Sequence, residues 1–160
     1  MTFERELATF RFLLGYGQTL LADVSEEEMT AQPTAGMNHP AWVIGHLAIA
    51  FDRHGEYVGA ERLLTDWDAQ FGMGTEPKAD RDAYMDKAGL VAAWVSSAER
   101  YAQAVAAADP EAFALETEGP LAGPFPTVGD FLTFSLTGHT SIHLGQLSAW
   151  RKAMGRPAMF

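Results

Sequence analysis

Cysteine is absent from all 160 residues. That absence removes disulfides, thiolate zinc knuckles and a thiol nucleophile of the protein's own. No uninterrupted apolar run approaches the roughly 20 residues of a membrane span. The opening Met1-Thr-Phe-Glu-Arg-Glu6 has neither the basic flank nor the apolar core of a signal peptide, so a cytoplasmic location is expected. Cations are scarce: 11 Lys and Arg stand against 21 Asp and Glu, leaving a net charge of −10. No basic stripe offsets that charge, and nucleic acid is not an expected partner. Internal repeats and low-complexity tracts are lacking as well. The simplest organisation is one domain over residues 1–160, long enough to bury a core without staples.

What is present is a helical pattern. Phe3, Leu7, Phe10, Leu14 and Leu21 form one stripe, thickened by Leu13 and Leu20, and Thr2 is placed to cap it. Ser25-Glu-Glu-Glu28 has the form of a capping box opening a short turn. A second helix is expected from Pro40, fading near Gly55 to Gly59. Its run from Ala41 to Phe51 carries no charge, so it must be covered on several sides, within the fold or by a partner subunit. Residues 60–85 are the least readable and offer at most one short helix. A third helix is expected from Asp86 to Ala108, with Val91, Trp94, Val95, Ala98, Ala102 and Val105 inward. Asp109-Pro110 closes it. A proline- and glycine-rich loop follows, and Thr127 caps a fourth helix reaching Met154 before Gly155. Four long helices with two long connections predict an all-α four-helix bundle.

The fourth helix carries Thr137-Gly-His-Thr-Ser-Ile-His-Leu-Gly-Gln146. Histidines four apart project from one helical face, so the nitrogens of His139 and His143 can meet on one ion at about 2.0–2.1 Å. Leu132, Leu136, His139, His143, Gln146, Trp150 and Met154 share the inward stripe at about 100° per residue. On the second helix Trp42, His46, Ile49 and Arg53 align in the same way. Gly45, Gly138 and Gly145 beside the histidines leave room for another helix. Neighbouring neutral imidazoles are costly to bury unless something takes up their lone pairs, and a cation does so. The candidate site is therefore a metal on His46, His139 and His143. Gln146 either orients a ligand from behind or bonds a backbone carbonyl. His39 is read as a cap or loop residue before Pro40. His54 lies about 80° round the helix from His46 and is read as facing solvent or a subunit. Asp52, Glu56 and the Glu26–Glu28 run are read as solvated charges.

Other metal patterns fail on their residues. Zincins need Glu directly after the first histidine, where Thr140 stands. Ferritin-like di-iron sites need Glu three residues before His, and no histidine has it. The non-haem iron triad needs a carboxylate, and neither histidine stripe carries one. Zinc, nickel and ferrous iron all remain candidates.

Asn38-His-Pro-Ala-Trp-Val-Ile-Gly-His-Leu47, His139-Thr-Ser-Ile-His-Leu-Gly-Gln-Leu147 and Trp150-Arg-Lys-Ala-Met-Gly-Arg156 together resemble the DinB/YfiT-like superfamily of metalloenzymes. The resemblance covers nearly the entire chain. It implies a four-helix bundle of up-down-down-up type, commonly a homodimer, with one divalent metal on the triad that maps to His46, His139 and His143. Relatives of this kind include transferases and isomerases using low-molecular-weight thiols such as mycothiol, bacillithiol or glutathione.

The expected function is a metal-activated thiol or water nucleophile attacking a small-molecule electrophile. Metal-dependent hydrolysis and a non-enzymatic metal-binding dimer are the alternatives, with a metal-free bundle whose histidines bond through water as a third. Arg53 and the basic residues near Arg151 are candidates for binding an anionic substrate group. No side chain stands out as general base; Asp130 lies on the opposite face from His139.

Overall fold

The computed structural model describes residues 2–159. Its helices follow the apolar periodicity. Helix α1 spans Glu4–Leu21, α2 spans Pro40–His54, α3 is the single turn Asp68–Phe71, and α4 spans Lys87–Ala107. The last helix, α5, is continuous but composite: α-helical Val128–Thr133, π-helical Phe134–His139 and α-helical Thr140–Ala153. Short 3-10 turns punctuate the connections, and the described residues contain no strand beyond one bridge between Glu116 and Thr127. No helix among them is long and apolar enough to cross a membrane.

Local chemistry sets the helix starts. The His39 ring accepts from the Trp42 amide while Pro40 fills the first helical position, so α2 begins with its free N–H groups accounted for. The Asp86 side chain accepts from Gly89 at the start of α4. Thr127 and Asp130 cap α5 reciprocally. Ser25 and Glu28 form the expected capping box ahead of the turn Glu27–Thr30. Helix α1 differs from expectation: Phe3, not Thr2, is its N-cap residue, and no side chain caps it. Phe3 is instead buried against the ring of Phe113, so packing holds that end.

Long-range contacts fix the directions. Near one end, Lys87 at the start of α4 and Arg151 at the end of α5 both bond carbonyls at the end of α1. Asn38, just before α2, bonds Gln146 in the last third of α5. Towards the other end, Asp52 of α2 pairs with Arg100 of α4, and His54 bonds Ser135 of α5. Helix α1 therefore runs with α5, α2 runs with α4, and the two pairs are opposed. This is the up-down-down-up bundle.

Helix α2 is its centre. Every residue from Pro40 to Asp52 except His46 is buried, which is why an uncharged sequence is tolerated there. Asp52 corrects the sequence reading. It is 4% exposed, pairs with Arg100 and accepts from the Leu63 and Leu64 amides, tying the following loop to the bundle.

Candidate metal centre

His46 is the one break in the buried run from Pro40 to Asp52, and its ring enters the space between α2 and α5. Its Nδ1 lies 2.7 Å from the Phe71 carbonyl. A carbonyl only accepts, so the proton sits on Nδ1 and Nε2 keeps its lone pair. Trp42, one turn earlier, stacks on the ring at 4.9 Å and 9°. Its own Nε1 donates to Thr75, and Thr75 donates to the Gly72 carbonyl, so the loop after α3 braces this wall of the site.

His143 is fixed from the opposite side. Its Nδ1 lies 3.1 Å from Gln146 Oε1, which also accepts from Asn38 Nδ2 at 3.0 Å. The amide oxygen makes Nδ1 the protonated nitrogen, and the His143 Nε2 lone pair is free. Gln146 thus bonds a histidine and not a backbone carbonyl, resolving the two readings its sequence allowed. Asn38 joins it from the segment before α2.

His139 completes the group. Its Nε2 stands 3.4 Å from His46 Nε2, too long for a good N–H···N hydrogen bond. Two tetrahedral ligands on one ion at about 2.0–2.1 Å are separated by roughly 3.3–3.4 Å. The donor atoms of all three histidines lie within 4.8 Å of one another. The triad fits a divalent cation in donor chemistry as well as spacing, because two of the three rings have their Nδ1 proton fixed outward. His139 lacks such an outer partner: its Nδ1 is buried and unbonded among the described residues.

The electrostatics agree with neutral ligands. Burial pushes His46 below the ordinary 6.5. Burial first, then the neighbouring histidines, pushes His139 down to about 2, and burial with His46 pushes His143 down to about 4. Neutral imidazole is the form that binds a metal.

Residues 17–147 match the family model described as DinB superfamily. The chain belongs to the DinB superfamily. The match spans most of the chain and includes all three histidines. Among curated proteins, no sequence matches this DinB-like chain.

Other expectations are corrected. His54 does not face open solvent: its Nδ1 is 2.7 Å from Ser135 Oγ, and its ring meets that of His139 edge-on at 5.6 Å. Arg53 is exposed and has no ion pair among the described residues. Arg151 is 2% exposed and locked to Asp23 and the Leu20 carbonyl, which removes it from any substrate role. The glycines also serve differently. A Cβ at Gly45 would meet the Phe71 ring at 2.2 Å, so Gly45 admits the residue whose carbonyl orients His46. The space at Gly138 is filled by Phe134 of the same helix, and nothing lies within 4 Å of Gly145. Of the outer ring of partners, only Gln146 was singled out by its place on the inward stripe. Phe71 lies in the stretch that was unreadable, and the Ser135 contact depends on a π-helical turn that no 3.6-residue pattern contains.

Proposed function

We propose that this DinB-like protein is a metal-dependent enzyme in which His46, His139 and His143 hold one divalent ion, zinc, nickel or ferrous iron. The supporting observation is the convergence of His46 Nε2 and His139 Nε2 at 3.4 Å while the Nδ1 protons of His46 and His143 are committed outward. A divalent ion held there would make a thiol or a water nucleophilic near neutral pH. The chain's own groups set the conditions. Phe71 and the Asn38–Gln146 pair keep two rings in the ligating tautomer, and three uncharged ligands leave the ion's positive charge undiminished. Only three protein ligands converge among the described residues, and structural zinc sites are normally closed by four. The open set favours chemistry over a purely structural ion.

The reaction we assign is attack of a low-molecular-weight thiol on a small-molecule electrophile, of the S-transferase or isomerase type. The site offers no carboxylate among its contacts to serve as base for water, which favours a thiol that ionises more readily. Arg53, exposed on the turn bearing His54, is available to an anionic substrate group. A cytoplasmic homodimer is the proposed working form.

The test is metal content of the purified protein and of His46→Ala, followed by conjugation assays of the loaded protein with several cellular thiols. Loss of metal in the variant and thiol-dependent product formation are expected. Turnover without thiol dependence would replace transfer by hydrolysis, and equal metal in the variant would remove His46 from the site.

A further inference from the structure

A second buried polar chain runs up to the triad and is not used by the ligands. It starts at Tyr101 of α4, which is 1% exposed. The Tyr101 hydroxyl donates to Ser135 Oγ at 2.9 Å, and Ser135, fully buried in the π-helical turn of α5, lies 2.7 Å from Nδ1 of His54. Three helices each contribute one member. The His54 ring then stands edge-on to the ring of His139 at 5.6 Å and 70°.

Counting hydrogens gives this chain a direction. Burial pushes the Tyr101 phenol above its ordinary range, so it keeps its proton, and Ser135 is its one acceptor among the described residues. The serine has a single hydrogen. Turned back to Tyr101, it would collide with the phenol's own proton or leave that proton unbonded in the core. It therefore goes to His54 Nδ1, which must accept. The N–H of His54 is then on Nε2, for which no hydrogen bond is found among the described residues and which is not sealed from solvent in the half-buried side chain. His54 is excluded as a fourth ligand by position, since the converging group comprises only residues 46, 139 and 143.

We propose that His54 is a tautomer-locked hydrogen-bond donor, aimed by Ser135 and Tyr101, to an anionic ligand held at the open face of the histidine triad. The inference rests on the metal-site reading above. It makes His54 a binding and positioning residue, with the thiolate sulfur or a developing negative charge on the substrate as its acceptor.

The test uses the full chain in two measurements. First, two-bond proton–nitrogen correlations of the histidine rings in the metal-free protein are expected to show His54 as the Nε2–H tautomer. An Nδ1–H tautomer overturns the proposal whatever the metal does. Second, the cobalt(II)-loaded protein is titrated with azide, following the visible ligand-field bands. His54→Phe is expected to keep the cobalt stoichiometry and bind azide about 10-fold more weakly, the scale of one hydrogen bond to a charged group. His54→Gln, which retains an N–H, should recover part of that loss. Ser135→Ala keeps the histidine but frees its tautomer, so it should weaken azide by a smaller factor and guards against misfolding of the phenylalanine variant. Azide affinity unchanged in both His54→Phe and Ser135→Ala overturns the proposal while leaving the triad standing. Failure of the unmodified protein to bind cobalt overturns both.

Discussion

Two polar clusters in this molecule, one around the buried Arg151 and one of histidines, are built on opposite rules. At the end where α1 and α5 meet, Arg151 is 2% exposed, yet its guanidinium reaches the Leu20 carbonyl and both Asp23 carboxylate oxygens, leaving only Nε unbonded. Arg156 adds contacts to Asp23 at 2.8 Å and to Glu28 at 2.6 Å. Donors there meet acceptors, and the Arg151 hydrogen bond holds the Asp23 carboxyl down at about 2. The histidine cluster does the reverse. Two of its three protons point outward, to Phe71 and Gln146, and the Nε2 lone pairs of His46 and His143 are left facing the space between the rings. A cluster that closes on itself holds helices together, whereas one that leaves a deficit of positive charge at its centre is prepared for something brought from outside.

Breaking each cluster should therefore give a different signature. The largest effect is expected from His143→Ala, which should take bound metal from about one ion per chain to near zero. Its thermal midpoint without metal should hold or rise, because lone-pair crowding is relieved. Metal analysis beside a thermal melt separates the two effects. Arg151→Met should do the opposite: keep the metal and lose roughly 1–2 kcal/mol of stability, a fall of about 2–8 °C in Tm, because Asp23 is half exposed and the main loss is the bond to the Leu20 carbonyl.

Gln146→Leu and Asn38→Ala sharpen the contrast. Both should leave the melt nearly unchanged and weaken metal affinity by about 10–100-fold, measured by competition with a chelator. Gly45→Ala should act on both properties, since the Phe71 ring must move and its carbonyl with it. Overpacking of this kind costs about 1–3 kcal/mol, and metal affinity should fall alongside.

A further contrast lies in the pH dependence without metal. The folded histidines hold their protons more weakly than the ordinary 6.5, with His143 near 4 and His139 near 2. The unfolded chain therefore binds more protons in that window. Stability from these groups is complete above about pH 6.5 and falls steadily as the solution is acidified towards pH 4. Denaturant melts from pH 7 to pH 4.5 should show the decline, and His139→Phe should flatten it. A profile that rises on acidification would contradict burial as the cause.

The readable and unreadable parts of this chain divide along physical lines. Helix ends governed by local chemistry were legible: Pro40, Asp86, Thr127 and Gly155 stand where the helices start or stop. The grouping of His139 and His143 was legible because residues four apart share a helical face, and the structure brings His46 of the other helix beside them. What stayed hidden depends on contacts between distant segments. Asp52 looked like a surface charge because its partner Arg100 is 48 residues away. Arg151 looked available for the same reason, with Asp23 at the far side of the chain. His54 was misplaced because rotation from His46 along α2 gives its angle but not the width of α5 facing it.

That width carries a last consequence. The Phe134–His139 turn holds one residue more than an α-helical turn would, and its width absorbs that residue. Were the same sequence wound there as ordinary α-helix, everything from Thr140 onward would swing about 100° against the first part of α5. Ser135 and His143 could then no longer both face α2. One wide turn separates this arrangement from a bundle of the same length and composition with no centre at all.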